Sequence, residues 1–188
     1  MSEDPQIKGF AIRGLLKYVK DSGFQGGIPT LLESLPADIQ PVFGERILSS
    51  LWYPYPAFAA LAQAVEREIG DGNSMLLEDV GRSSGRRDLG GIFRFITAIL
   101  TIERVVRRAP AYWKRYCDTG DLEVINVDSG HFTVRLSGFP QIDPAHCQMI
   151  RGWILGLGEG TGAKNVDIRK VSCVHRGDSN CEYQGTWR

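Results

Sequence analysis

The stretch that decides the fold is LEVINVDSGHFTVRL, residues 122–136. Apolar and polar residues alternate near both of its ends, which is the period-two pattern of strands with one buried face. Asp128-Ser129-Gly130 lies between the alternating runs and has the residue types of a tight turn. The stretch is therefore predicted to be an antiparallel β-hairpin, with strands over residues 122–127 and 132–136.

A second hairpin is predicted near the end of the chain. Alternation returns over residues 166–174 and 181–187, on either side of the turn sequence Arg176-Gly177-Asp178-Ser179. Helical spacing of apolar residues over 144–157 separates the two hairpins. This order predicts a four-stranded antiparallel sheet with an inserted helix in residues 118–188.

Residues 1–117 show helical periodicity instead. One predicted helix face is formed by Ile12, Leu15, Leu16 and Val19. Asp88 is predicted to cap a later helix. Over residues 92–100 this helix is apolar on nearly every face, so we expect it to be central and buried. Helices first and strands second predict an α+β fold, in a single domain over residues 1–188.

The composition is that of a globular protein, with 43% hydrophobic and 23% charged residues. The 22 basic and 22 acidic residues cancel, yet residues 80–115 hold 9 basic and 2 acidic side chains, a net charge of +7. Acidic segments flank that stretch, so we expect neutralisation within the fold or across a dimer rather than by nucleic acid. Because no apolar run is long enough to span a membrane and no signal-peptide pattern is present, we expect a cytoplasmic protein with reduced cysteines.

Two glycine-containing motifs resemble catalytic or nucleotide-binding patterns. Gly81-Arg82-Ser83-Ser84-Gly85 matches the nucleophile elbow of hydrolases, but the elbow requires a buried strand where this chain has helical periodicity. A solvated loop is the structure expected there. Gly158-Glu159-Gly160-Thr161-Gly162-Ala163 fits a dinucleotide-binding pattern, yet it follows a helix instead of preceding one. A glycine-rich helix C-terminus is expected for that segment.

Aromatic side chains beside prolines make residues 52–58 a candidate wall of a ligand pocket. Such rings supply apolar area, and their phenol and indole groups supply polar contacts for a ligand. The alternative is that they pack the joint between two helices. The apolar helix over residues 92–100 is expected to form the opposite wall, in addition to its role in the core. The candidate pocket residues are Trp52, Tyr53, Tyr55, Phe58, Phe93 and Ile96.

Three of the four cysteines are spaced as a cluster. A turn centred on Gly177 places Cys173 opposite Cys181 on one sheet face, and His175 shares that face while the strand lasts. Cys147, near the start of the inserted helix, can complete the group. Three sulfurs and one imidazole are sufficient for a tetrahedral structural zinc site. The alternative is that these cysteines are small buried residues that pack as hydrophobes.

The sequence CVHRGDSNCEY, residues 173–183, resembles the C-terminal hairpin of the 4-vinyl reductase domain. That family belongs to the heme–nitric-oxide-binding and TRAPP vesicle-tethering fold group, whose members have a helical N-terminal part followed by an antiparallel sheet. The helical half, with GLLKY at 14–18, LLESLP at 31–36 and WYP at 52–54, resembles a bacterial paralogous family with the same ending.

The resemblance also has implications for cofactors. The phenol-sensing domains of NtrC-type activators share this fold, and their structural zinc ligands would fall on Cys147, Cys173 and Cys181. Their fourth ligand is a glutamate, and Lys170 stands at that position here. Zinc would repel a lysine cation, so His175 is the preferred substitute, followed by His146. The heme branch of the group carries a Tyr-x-Ser-x-Arg motif that this sequence lacks, so we expect no heme.

The function expected from these observations is a non-catalytic regulatory or sensory module. It is expected to bind a small hydrophobic ligand and to signal through protein contacts, as a homodimer. The alternative is a protein-interaction scaffold resembling the TRAPP tethering subunits, with no small-molecule ligand. Reduction of a tetrapyrrole vinyl group, which the family name implies, finds no acid–base pair or nucleotide motif in the sequence to support it.

Overall fold

A computed structural model of the chain describes residues 5–71, 73, 75–92, 101–139 and 141–188. The helices and strands follow in chain order as β1 (Gln6–Lys8), α1 (Gly9–Asp21), α2 (Gly27–Glu33), β2 (Trp52–Pro54), α3 (Tyr55–Ile69), α4 (Met75–Ile92), α5 (Ile102–Arg107), α6 (Ala109–Tyr116), β3 (Asp121–Asp128), β4 (His131–Ser137), α7 (Pro144–Gly160), β5 (Asp167–Ser172) and β6 (Cys181–Thr186). Short 3₁₀ turns lie at Gln40–Phe43 and Val174–Arg176.

The strands form a four-stranded antiparallel sheet in the order β3-β4-β6-β5. This confirms the predicted α+β fold, with its helical half followed by hairpin, helix and hairpin. The tight turn after β3 has Gly130 at a φ of 86°, a conformation that favours glycine. A two-stranded antiparallel sheet of β1 and β2 was not predicted, because three-residue strands leave no readable alternation.

One hydrophobic core joins the two halves of the chain. The apolar face of α1 packs with α3 residues such as Phe58 and Leu61, and the inner sheet face contributes Phe132, Ile168 and Tyr183. Each of these side chains is no more than 1% exposed. α7 lies between the sheet and the helical half, since its buried residues belong to the same core.

The contact between α4 and α7 is unusually close. Cβ atoms built onto Gly81 and Gly85 of α4 would lie 2.0 and 2.3 Å from the carbonyl oxygens of Met149 and Trp153. The facing Gly152 of α7 meets α4 in the same way, with 1.9 Å from a built Cβ to the Glu78 carbonyl oxygen. The two helices therefore touch through their backbones, which only glycine permits.

This contact corrects two predictions. The loop predicted over residues 81–85 is wrong, because the segment lies inside α4 and its glycines, four residues apart, share one helix face. The prediction that Asp88 caps a helix is also wrong, since Asp88 lies within α4. Phe93 to Leu100 of the predicted apolar helix lies outside the described residues.

Ion pairs accompany the glycine contact. Arg82 and Arg86 of α4 bind the Glu159 carboxylate near the end of α7, and Arg151 of α7 binds the buried Glu78 of α4. Part of the +7 charge of residues 80–115 is thus neutralised within the fold, as expected. Hydrogen bonds from both arginines lower the pKa of Glu159, with that from Arg82 the largest cause. None of the helices in the described ranges is long and apolar enough to cross a membrane.

We predict opposite effects on stability for two glycine-to-alanine substitutions in helices. Gly152→Ala should lower the free energy of unfolding by roughly 1–3 kcal/mol, because the new methyl group would overlap the Glu78 carbonyl. Gly14→Ala in α1 is the matched control, since a Cβ there is 3.5 Å from its nearest neighbour. It should be neutral or stabilising by up to about 1 kcal/mol. Urea denaturation of both variants tests the prediction, and equal stabilisation would contradict the close contact.

Candidate functional site

A cavity of about 100 Å³ lies between α1, α4, α6 and α7. Its walls are mainly apolar, with aromatic rings from α6 and α7 and small residues from α1 and α4. Residues that give it its chemistry are Phe58, Ser84, Arg87, Trp113, His146 and Trp153. A mainly apolar cavity with a few placed polar groups is the usual form of a small-ligand site.

His146 is the most distinctive residue of this cavity. It lies in the first turn of α7, which Asp143 caps by accepting a hydrogen bond from the Ala145 N–H. The imidazole is stacked on the Trp113 ring at a centroid distance of 5.9 Å and meets the edge of Phe58 at 5.1 Å. Only 6% of the residue is exposed. A polar ring is therefore enclosed by aromatic surfaces.

Tyr55 orients the imidazole. The Tyr55 hydroxyl accepts a hydrogen bond from the Asp143 N–H at 2.8 Å and lies 3.1 Å from His146 Nδ1. The roles of donor and acceptor in this pair depend on the tautomer of the imidazole. In the tautomer with the proton on Nε2, the Tyr55 hydroxyl donates to Nδ1, and the ring keeps one N–H group that Tyr55 does not use.

Burial keeps this imidazole neutral. Removal from water lowers the pKa of His146 to about 3, because the charged form loses its hydration. Burial likewise raises the pKa of the Tyr55 hydroxyl, so the phenol keeps its hydrogen. The pair therefore forms an uncharged hydrogen-bonding unit at physiological pH.

Charged groups of α4 also reach the cavity. Arg87 lies in the wall and donates hydrogen bonds of 2.8 and 2.9 Å to the hydroxyl oxygens of Ser83 and Ser84. The neighbouring Asp88 accepts hydrogen bonds from the Trp153 indole N–H at 2.8 Å and from the Tyr116 hydroxyl. A guanidinium in this position can pair with a ligand carboxylate.

The structure distributes the predicted pocket residues widely. Phe58 lines the cavity. Tyr55 does not, but it is hydrogen-bonded to His146, which does. Trp52 is 38% exposed, with the Lys8 ammonium 4.0 Å from its ring centroid, and the Tyr53 hydroxyl accepts a hydrogen bond from the Leu48 N–H. Neither Trp52 nor Tyr53 is among the residues that line this cavity. Phe93 and Ile96 lie outside the described residues.

His146 was not predicted to be a cavity residue. A signal was present, because His146, Ile150, Trp153 and Ile154 are spaced to share one face of α7. Trp113 and Arg87 come from α6 and α4, and only the folded chain brings them to the same cavity. Sequence spacing could not have placed these two residues beside His146.

The predicted cysteine cluster forms on the other side of α7. The sulfur atoms of Cys147, Cys173 and Cys181 all lie within 4.8 Å of one another, and all three residues are buried. The register places Ser172 opposite Glu182, which aligns Cys173 with Cys181 as the turn predicted. His175 does not join them. β5 ends at Ser172, and His175 lies exposed in the 3₁₀ turn that follows.

Lys170 takes part in this cluster. Its half-buried side chain lies beside the thiols of Cys173 and Cys147, which raise the pKa of the ammonium against the effect of burial. A hydrogen bond from Cys147, followed by weaker contributions that include the Lys170 charge, lowers the pKa of Cys181. The same interaction and burial raise the pKa of Cys147. The three neighbouring thiols and the Lys170 side chain are named here the thiol–lysine cluster.

Solved structures with a similar fold are H-NOX domains. No protein-family model matches the sequence, and no curated protein matches it. An H-NOX protein from S. oneidensis in the Fe(II)NO ligation state superposes with a TM-score of 0.73 at 15% identity, covering 96% of this chain and 99% of that one. The fold is that of the H-NOX domains.

Two further structures support the same likeness. An oxygen-binding H-NOX domain related to soluble guanylate cyclases, in its oxygen complex, has a TM-score of 0.66 at 13% identity and covers 96% of this chain and 95% of its own. An Fe(II) unliganded H-NOX mutant from K. algicida gives the same score and identity, with 96% of both chains covered. These structures support the heme–nitric-oxide-binding fold group, whereas the 4-vinyl reductase and NtrC-type resemblances rest on the hairpin sequence alone.

The H-NOX likeness corrects both cofactor expectations. The expectation of no heme is contradicted by the structures that share this fold. They are H-NOX domains in Fe(II), Fe(II)NO or oxygen-bound states. The prediction of zinc at Cys147, Cys173, Cys181 and His175 is also corrected. The matching H-NOX structures are defined by an iron or oxygen ligation state. In addition, the Lys170 ammonium lies beside the cysteines, where its positive charge would repel a zinc ion.

The cavity can be compared with what heme requires. A neutral imidazole is a common ligand of heme iron, and a guanidinium pairs with carboxylates such as the heme propionates. His146 and Arg87 present these two groups to one cavity, so the donor chemistry fits. The space of about 100 Å³ is below the ~150 Å³ of a cavity that accepts benzene, so its walls must separate to admit a macrocycle.

We predict that His146 makes the stability depend on pH in a defined direction. The folded-state pKa of about 3 lies below the ordinary value near 6.5, so acid protonates the unfolded chain first. The stabilising contribution is complete above about pH 6.5 and falls by about 1.4 kcal/mol per pH unit below it, until the folded pKa is reached.

His146→Gln is the control for this prediction, because glutamine cannot titrate. Urea denaturation of both proteins between pH 7.5 and pH 4.5 should show a stability difference that changes with pH. Parallel curves for the two proteins would contradict a buried neutral imidazole.

Proposed function

We propose that the chain is a non-catalytic sensory module that binds a small, mainly apolar ligand in the cavity beside His146. The observation that carries this proposal is a buried, neutral imidazole in the wall of an apolar cavity, with its Nδ1 paired to the Tyr55 hydroxyl. A buried polar group is more stable when a ligand or water completes its hydrogen bonding. With the proton on Nε2, a ligand that has a hydrogen-bond acceptor does this.

The cavity favours ligands of limited size and defined polarity. A volume of about 100 Å³ suits a diatomic molecule or, after small side-chain movements, a single ring. The Nε2–H requires an acceptor on the ligand, and Arg87 favours a ligand with a carbonyl or carboxylate group. Sensing is favoured over catalysis because the neutral His146–Tyr55 pair is unsuited to proton transfer at physiological pH.

Heme is one candidate ligand within this proposal. The support for it is the H-NOX fold together with the His146 and Arg87 side chains in one cavity. His146 would hold the iron and Arg87 would face a propionate, and heme when bound supplies an iron atom that captures diatomic gases. For ligation, the Nε2 lone pair must be free, so the proton of His146 would move to Nδ1 and be donated to the Tyr55 oxygen.

A bound ligand would contact several helices at once. The cavity is lined by α1, α4, α6 and α7, so filling it changes the packing of elements from both halves of the chain. Exposed apolar residues at Leu48, Leu51 and Trp52 provide a surface through which a protein partner can be contacted. The scaffold alternative would use this surface without any ligand.

We predict that small carbonyl-bearing aromatic compounds stabilise the protein. Benzamide, acetophenone and benzoate, each at about 100 times its Kd, should raise Tm by roughly 5–10 °C, because ligand binding to the folded state adds about 2.7 kcal/mol. Toluene, which lacks an acceptor, is the control compound, and His146→Leu is the control variant. The variant should lose the preference for carbonyl compounds over toluene. A protein that binds none of them and sediments as a stable dimer would favour the scaffold.

We predict a separate result for heme. Hemin added under reducing conditions should give a Soret band at one equivalent in the wild-type protein and not in His146→Ala. Arg87→Ala should retain the band with weaker binding, because it removes only a propionate contact. A Soret band that is unchanged in His146→Ala would rule out His146 as the ligand, and no band with the wild type would remove heme from the candidates.

A further inference from the structure

We infer that residues 44–52, named here the docking loop, attach the protein to the surface of an anionic membrane. The side chains that enter the lipid interface are Leu48, Leu51 and Trp52. The inference goes beyond the proposed function and does not depend on it. It rests on the exposure of these apolar side chains, on the backbone that holds them in place and on the basic residues around them.

The docking loop presents a group of apolar side chains to solvent. Leu48 is 46% exposed, Leu51 is 51% exposed and Trp52 is 38% exposed. The other large apolar residues that are exposed in the described part of the chain occur singly, in α4, β3 and β5. Single exposed apolar residues are common on protein surfaces, whereas grouped ones mark a surface that binds a partner or a membrane.

Hydrogen bonds fix the backbone of the docking loop. Every carbonyl oxygen from residue 47 to residue 51 accepts a hydrogen bond. Those of Ser49 and Leu51 bind the N–H groups of Phe10 and Gly9, at 3.2 and 2.9 Å, where α1 begins. Because the loop is anchored at these positions, its exposed side chains are held at the surface.

This hydrogen bonding suits a lipid environment. A carbonyl group that enters the apolar part of a bilayer loses its water, which is unfavourable unless the group is already hydrogen-bonded. The docking loop can therefore enter the interface without leaving the carbonyl oxygens of residues 47–51 unpaired. Trp52 adds an amphipathic ring, and tryptophan is enriched at the boundary between membrane and water for that reason.

Basic side chains surround the apolar group. The Lys8 ammonium donates a hydrogen bond to the Ser50 carbonyl at 2.9 Å and lies 4.0 Å from the Trp52 ring centroid. Arg13 and Arg46 are exposed, and Arg13 also donates to a carbonyl of the loop, at 3.2 Å. Within the described ranges, none of these three cations forms an ion pair. Their charges are therefore available to a negatively charged surface.

Lipid is favoured over a protein as the occupant of this surface. A stable protein interface uses about 20–30 residues on each side, many more than the apolar group of the docking loop provides. Lys8, Arg13 and Arg46 outnumber Glu45, the single acidic residue of the loop. Anionic lipids attract lysine and arginine near the membrane surface, so this excess of positive charge complements them.

The docking loop also adjoins the ligand cavity, a point that rests on the proposed function. Phe10, whose N–H binds the Ser49 carbonyl, is part of the cavity wall. Apolar ligands concentrate in bilayers, because their transfer out of water is favourable. A protein attached through the docking loop would therefore hold its cavity near a reservoir of such ligands.

The experiment measures binding of the full chain to lipid vesicles by sedimentation. Vesicles of equal parts phosphatidylcholine and phosphatidylglycerol should bind the protein, and vesicles of phosphatidylcholine alone should bind it roughly fivefold or more weakly. Sodium chloride at about 1 M, where the Debye length is about 3 Å, should weaken binding to the anionic vesicles. Tryptophan fluorescence should shift to shorter wavelength on binding, and Trp52→Phe should remove that shift.

Two variants separate the apolar and the charged contributions. Leu51→Ser should weaken binding to the anionic vesicles roughly tenfold, because a leucine side chain is no longer removed from water. Met75→Ser is the matched control, since Met75 is 54% exposed but belongs to α4, and it should bind like the wild type. Arg46→Gln should weaken binding roughly fivefold. Circular dichroism verifies folding, and Arg46→Gln is decisive if Leu51→Ser does not fold.

Several results would overturn the inference. These are a wild-type protein that binds no vesicles, equal binding to anionic and neutral vesicles, and equal binding by Leu51→Ser and the wild type. A dimer that Leu51→Ser dissociates and Met75→Ser does not would also overturn it, because a second copy would then cover the docking loop. Ligand binding in the thermal-shift experiment is measured without vesicles, so failure of one proposal is distinguishable from failure of the other.

Discussion

The structure depends on the backbone contact between α4 and α7. Gly81 and Gly85 lie against the backbone of α7, Gly152 and Gly156 lie against the backbone of α4, and at these four positions no side chain longer than hydrogen fits. Because α7 is also the helix inserted between the two hairpins, this contact fixes the sheet half against the helical half. The ion pairs of Arg82 and Arg151 join the same two helices.

The sheet half was readable from the sequence because its signals are local. Gly130 and Gly177 mark the turns, alternation marks the strands, and the C-terminal glycines end α7. The α4–α7 contact was not readable, because a G-x-S-x-G motif in isolation favours a loop as much as a helix face. Its meaning depends on a second glycine pair some seventy residues away in the chain, and local periodicity carries no information about such a partner.

The two candidate sites also differ in how far local sequence signals could predict them. The thiol cluster was predictable, since hairpin register fixes Cys173 opposite Cys181 and only Cys147 had to arrive from another element. Whether the cluster holds a zinc ion was not predictable in this way. The answer depends on where the flexible Lys170 side chain places its positive charge. The cavity was misplaced because most of its wall comes from helices distant in sequence, and because His146 was considered only as a metal ligand.

The first turn of α7 brings both sites together. His146 faces the cavity, and the next residue, Cys147, faces the thiol–lysine cluster, because consecutive residues of a helix point about 100° apart. The glycine contacts with α4 begin at Met149, three residues further along α7 than His146. Any rearrangement at one site must therefore be accommodated within the turn that also carries the other. His146 and Cys147 therefore share one turn, whose N-cap residue, Asp143, is held by Tyr55.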